Sequence, residues 1–182
     1  TVICARLDTG DVDENAAAAR LAAALVPDAK AAHLHITKPF TGRVNLIAEG
    51  PGVVQLDASL LTALNQIHPM LTLATVPQLQ QMGKGGMIAT IKVISYALPE
   101  TALQKAEALL AGRAALSLVP VTLQAAHLIV TEIPGGAGEK GVNAIEGRLS
   151  ALGMALTDVT VVPHRQDAIR DALLADHDDD LT

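Results

Sequence analysis

The chain has 182 residues, 50% of them hydrophobic, with 13 basic and 19 acidic side chains and a formal net charge of -6. That length supports one or two domains that bury roughly 70% of their unfolded surface, and a mean hydropathy of +0.36 with 18% charged residues excludes intrinsic disorder. An acidic balance without a Lys/Arg cluster, one Phe, one Tyr and no Trp argue against nucleic acid as a partner, because binding a polynucleotide rests on an extended basic face and on several aromatic side chains that stack its bases.

Residues 2–7 alternate β-branched and polar side chains and read as a strand, followed by a turn at Asp8-Thr9-Gly10-Asp11. Asp13 is placed to cap an Ala-rich helix running to Val26, with Leu21 and Leu25 on one face and Pro27 as its stop. The single cysteine, Cys4, is expected to pack within the first strand rather than act as a nucleophile; with no second cysteine there is neither an internal disulfide nor a Cys-paired zinc site, and a reducing, cytoplasmic setting is expected. The opening Thr1-Val2-Ile3-Cys4 has no basic region and no initiator Met, so an interior fragment or processed chain is expected rather than a signal peptide.

Between 33 and 57, short apolar runs punctuated by Pro39, Gly42, Gly50, Pro51 and Gly52 indicate a β-rich unit with tight turns. A short helix follows over 58–67, closed by His68-Pro69, then a strand over 71–76, a Gly-rich loop at 82–86 and an alternating strand over 87–96. Pro99 begins a helix to about Arg113, with Leu103, Ala106, Leu109 and Leu110 on one stripe. Two long uncharged stretches, 58–83 and 114–131, are interrupted by proline, glutamine and histidine, and neither reads as a membrane span.

The last third is regular. Residues 127–133 form a near-continuous apolar strand of the kind a parallel sheet buries on both faces. A helix over 139–152, with Val142, Ile145, Leu149 and Leu152 inward, ends at Gly153; a strand over 156–162 and a helix over 165–176 follow. This βαβα order predicts adjacent parallel strands with a right-handed crossover, and the likeliest joint between the two parts is Pro120-Val121-Thr122.

Gly136-Ala137-Gly138-Glu139-Lys140-Gly141 is a literal G-x-G-x-x-G between a strand and a helix, with Asp158 about twenty residues beyond its centre. Pro134-Gly135 separates the strand from the first motif glycine and Asp158 falls near the start of the second strand, so the dinucleotide reading, and with it a nucleotide-dependent oxidoreductase, is disfavoured. The loop keeps a more general property, peptide N–H groups at a helix start that favour an anion; a plain flexible turn explains the glycines equally well. His33 and His35, two apart on an expected strand, lack a third ligand, and no metal is assigned to them or to the acidic run Asp176-His177-Asp178-Asp179-Asp180. None of the four serines stands in a G-x-S-x-G elbow.

The segment His127-Leu128-Ile129-Val130-Thr131-Glu132-Ile133-Pro134-Gly135, the helix to Leu152-Gly153 and the run Val161-Val162-Pro163-His164-Arg165-Gln166-Asp167-Ala168-Ile169 together resemble the first half of the molybdopterin-binding domain of molybdenum cofactor biosynthesis proteins. Phe40-Thr41-Gly42-Arg43-Val44-Asn45-Leu46 and Gly86-Met87-Ile88-Ala89-Thr90-Ile91-Lys92-Val93-Ile94 resemble the upstream region of bacterial molybdopterin-binding proteins often fused to a cofactor cytidylyltransferase. Two departures stand out: Thr131-Glu132-Ile133 replaces the family's Thr-Gly-Asp, and the Gly-Gly-Thr/Ser loop that holds the pterin phosphate is not found before Thr182.

The fold expected is therefore α/β: a mixed α+β part over 1–121, then a partial, parallel-sheet molybdopterin-binding domain over 122–182. By resemblance the chain binds molybdopterin or its nucleotide, as a fragment lacking the main phosphate loop and expected to be inactive, its parent a cofactor nucleotidyl- or molybdotransferase. The cofactor-binding candidates are Thr131, Glu132, Gly135, Gly136 and Gly138, with Thr41, Arg43, Asn45 and Lys92 as weaker ones. An Arg on a Gly-containing turn suits bidentate phosphate recognition, and a surface ion pair explains it as well. A non-catalytic dimerisation or scaffolding module, hence a homo-oligomer, stays open as the rival.

Overall fold

In the computed structural model the described residues are 6–136 and 138–179, with side chains as far as 175. The expected strand over 2–7 falls largely outside them, as does Cys4; Arg6 and Leu7 are in no regular element. The fold is mixed α/β, and the chain divides into two compact units, Thr1–Pro120 and Val121–Thr182.

In the first unit, β1 (Asp11–Asp13) leads into α1 (Glu14–Leu25). Asp13 is the cap that the sequence indicates: its carboxylate accepts from the backbone N–H of Asn15 at 2.9 Å and of Ala16 at 3.2 Å, satisfying two donors that a helix start leaves without partners. The small side chains of Ala17, Ala18 and Ala22 let the helix lie close to a sheet, and they are buried with Leu21 and Leu25. That sheet consists of β2 (Leu34–Ile36), β3 (Arg43–Ala48), β7 (Met87–Val93) and β5 (Leu71–Thr75), in that order and all antiparallel. Its inner face presents Val44, Leu46, Leu71, Leu73, Ala89 and Ile91, all buried; the period-2 alternation seen in the sequence sets the intervening residues on the other face.

A second sheet, in the order β6-β4-β9, joins β6 (Gln81–Met82), β4 (Gly52–Leu56) and β9 (Leu116–Pro120). α2 (Ala58–Asn65) starts at Asp57, whose carboxylate accepts from the Ser59 hydroxyl and the Leu60 N–H; those two bonds, the hydroxyl's first, hold its pKa below the ordinary value. Asn65 at the end of α2 grips β5 through both amide atoms, donating to Leu73 O at 2.9 Å and accepting from Leu73 N at 2.7 Å. β8 (Ala97–Pro99) pairs with β1 and leads into α3 (Glu100–Leu110), with Pro99 at the position before the helix. Arg20 of α1 reaches Glu100 and Glu107 of α3, each at 2.8 Å, raising its own pKa and lowering that of Glu100.

The second unit holds β10 (Ala125–Glu132), α4 (Gly138–Ala151), β11 (Ala155–Pro163) and α5 (Gln166–Asp179). β10 and β11 are parallel neighbours, registered from Ala125↔Ala155 to Glu132↔Pro163, and α4 connects them as the alternation of apolar strand and amphipathic helix predicts. The expectation that β10 is buried on both faces is not met: its interior residues are half-buried and its two ends exposed. The reason is that β10 has a single strand neighbour and two helices to cover it.

Candidate functional site

Because β10 and β11 are parallel, their C-terminal ends lie at one edge, where open α/β sheets characteristically bind ligands. Two turns leave that edge. From β10 the chain passes through Ile133 and Pro134 into Gly135, whose φ of 78° lies in the left-handed region that favours glycine, and Gly138 opens α4 at φ 51°. From β11 it passes through Pro163 to His164 and Arg165, and Arg165 pairs with Asp167. That pairing raises the Arg165 pKa and lowers that of Asp167. His164 Nδ1 lies 2.9 Å from Thr131 Oγ1, joining the two turns.

A cleft of about 950 Å³ opens at this edge, and Thr131, Glu132, Gly135, Gly136 and Gly138 all line it. The five stronger candidates are thus brought together. The Gly136 N–H is taken by Ile133 O at 3.0 Å, and the first N–H groups of α4 have no acceptor within the helix. Adjoining the cleft, Glu132 also borders a recess of about 500 Å³ shared with Val142, Asn143, Val159 and Val161. His164 is the residue that sequence reading missed as a site component. Its position after Val161-Val162-Pro163 was visible, but its bond to Thr131 arises only from the strand pairing.

Asp158 does not serve this loop. It is registered opposite His127, five residues before the Glu132↔Pro163 pair, so about 16 Å of strand separate it from the glycines. A dinucleotide site needs that acid at the end of the second strand. His127 Nε2 instead lies 2.8 Å from Thr160 Oγ1 and 3.7 Å from Asp158 Oδ2. His33 and His35 do not share a strand face either: His33 sits in the turn before β2 at φ 55°. Among the described residues no three His, Cys, Asp or Glu are placed to hold a metal. No helix among them is long and apolar enough to cross a membrane.

The weaker candidates gather on the outer face of the four-stranded sheet in the first unit. Phe40 and Arg43 exchange backbone hydrogen bonds, each 3.0 Å, across a two-residue turn in which Thr41 (φ 47°) and Gly42 (φ 68°) are both left-handed. Thr41 is β-branched, so its conformation is strained. Gly42 cannot be replaced cheaply, since a Cβ there would stand 2.6 Å from Val93 O. Arg43 is registered opposite Lys92, and Lys92 opposite Thr72 on the next strand. Lys92 Nζ donates to Thr41 O. One row further, Asn45 is opposite Thr90, and its Oδ1 accepts from the Thr90 hydroxyl at 2.7 Å. Like charges directly opposite on a sheet cost a fraction of 1 kcal/mol, and neither cation has a carboxylate within ion-pair distance among the described residues.

No family model matches the chain, and no curated protein or solved structure matches it either.

Proposed function

We propose that the chain binds molybdopterin or its nucleotide at the C-terminal edge of β10 and β11. The observation that carries this reading is the convergence of Thr131, Glu132 and the Gly135–Gly138 turn on one cleft. The donors and acceptors there suit the two ends of such a molecule. The N–H groups that open α4 face a phosphate, and the Thr131 hydroxyl adds a polar contact beside them. The Glu132 carboxylate accepts hydrogen bonds only, which fits the amino-pyrimidinone edge of a pterin, an edge that offers N–H donors. The resemblance of 127–169 to the molybdopterin-binding domain supports the same assignment.

The test is retention of pterin fluorescence by the whole chain after incubation with molybdopterin and gel filtration, beside the variants Gly136→Asp and Glu132→Gln. An added carboxylate on the turn abolishes retention, and loss of the Glu132 charge weakens it about tenfold. Equal retention by all three proteins rejects the site.

A second reading, an association module, is favoured by one observation: Ile133, Val161, Leu173 and Leu174 of the second unit are each more than half exposed, at 54%, 52%, 57% and 57%. Light scattering across a concentration series distinguishes them, since an association module dimerises without pterin and a pure ligand-binding unit does not.

A further inference from the structure

We propose that the outer face of the β2-β3-β7-β5 sheet is a binding site for a phosphomonoester that carries a flat heterocycle, of which a mononucleotide is the simplest example. The inference rests on the first unit alone and is independent of the glycine turn. Residues directly opposite in an antiparallel ladder share a face, so the registers Phe40↔Arg43, Arg43↔Lys92 and Lys92↔Thr72 place a phenyl ring, a guanidinium, an ammonium and a hydroxyl in one row across four strand positions. Phe40, the only phenylalanine of the chain, is 76% exposed, which no core role explains.

The row has the order that such a ligand requires. Strands stand about 4.8 Å apart, so a phosphate held between Arg43 and Lys92 lies one to two strand spacings from Phe40, the span of a sugar between phosphate and ring. The guanidinium offers a planar fork to two phosphate oxygens and the ammonium a point charge; the exposed phenyl face accepts the heterocycle by stacking. Lys92 spends one proton on Thr41 O and keeps two for the ligand, while Thr72 supplies a hydroxyl beside it. The strained Thr41-Gly42 turn, braced by the Gly42 N–H to Asn15 Oδ1 at 2.9 Å, holds Phe40 and Arg43 in register. Strain of this kind persists where surrounding structure over-determines it, and it clusters at binding sites. The inner face of the same sheet is closed by α1, so the ligand approaches from the open side only.

The experiment is an amide chemical-shift titration of the whole chain with guanosine 5′-monophosphate, inorganic phosphate and guanosine. The mononucleotide shifts the amides of Thr41–Asn45 and those flanking Lys92 and Thr72, and it binds at least about tenfold more tightly than either part alone. Arg43→Gln weakens mononucleotide and phosphate alike by about tenfold or more, with an unchanged thermal transition. Phe40→Ala reduces the mononucleotide to the affinity of inorganic phosphate and leaves phosphate itself unaffected. Arg113→Gln, at an exposed cation outside the row, alters none of these values. Shifts confined to 134–141 assign the phosphate to the glycine turn and overturn the proposal. So does an affinity that Arg43→Gln leaves intact, or the lack of a saturable response at about 10 mM.

Discussion

The two units of the chain are built from the same kinds of apolar residue, yet only one encloses a core. Among the described residues, every buried apolar side chain lies between Ala17 and Leu118, in the first unit. In the second, α4 has apolar residues at helical spacing and β10 is apolar almost throughout, but no described residue is buried. The difference is one of layers. In the first unit antiparallel sheets are closed on their inner faces by α1, α2 and α3, so the apolar side of each strand meets a partner. A pair of parallel strands with two helices has too few neighbours to remove its own side chains from water, and parallel sheets are characteristically covered on both faces. Sequence hydrophobicity measures what a segment is able to bury; the number of elements around it determines what is buried.

The largest expected effect is in hydrogen exchange. Amides of β10 and β11 exchange through openings at least about 3 kcal/mol cheaper than those of β3 and β7, a hundredfold difference in protection. Equal protection in both units breaks the comparison. Core truncation sharpens it: Leu103→Ala, at a position with 0% exposure, costs about 2–5 kcal/mol. Ile145→Ala on the half-buried face of α4 costs about 1 kcal/mol, and chemical denaturation measures both. Glycine substitutions come next. Gly42→Ala destabilises by about 2 kcal/mol or more, because its Cβ meets Val93 O at 2.6 Å and Glu14 Oε2 at 2.9 Å on top of the left-handed strain. Gly135→Ala meets nothing within 4 Å and costs only the strain, about 1 kcal/mol.

The smallest effect is electrostatic and confined to the first unit. Glu100 has its pKa lowered by the Arg20 guanidinium, so the pairing stabilises the fold above the unfolded Glu value of about 4.3 and is lost as pH falls through the lower folded value. Arg20→Met is therefore less stable than the parent at neutral pH, and the two converge as acid is added below that point. A stability gap that is constant from pH 7 to about 3 shows that Arg20 acts by packing rather than charge.

Local signals in the sequence determined the helices and the longer strands. Asp13 and Asp57 sit where a helix needs a side-chain acceptor, Pro27 and Gly153 where one ends, and the 3.6- and 2-residue periods separate α4 from β7. They also determined that the glycine turn lies between a strand and a helix, which is why the stronger candidate residues were legible. Three short or irregular pieces were not: β1, β6 and β8, of two or three residues each, have no period to read and exist because a partner strand supplies their hydrogen bonds. β9 carries no turn signal or period in the sequence reading, and its pairing from Leu56↔Leu116 to Gly52↔Pro120 completes the second sheet. Only the tertiary structure decided that Phe40, Arg43, Lys92 and Thr72, up to 52 positions apart, form one row, and that His164 meets Thr131. Register is the physical reason: it is a relation between strands, set by the apolar faces that must turn inward together, and no single segment carries it.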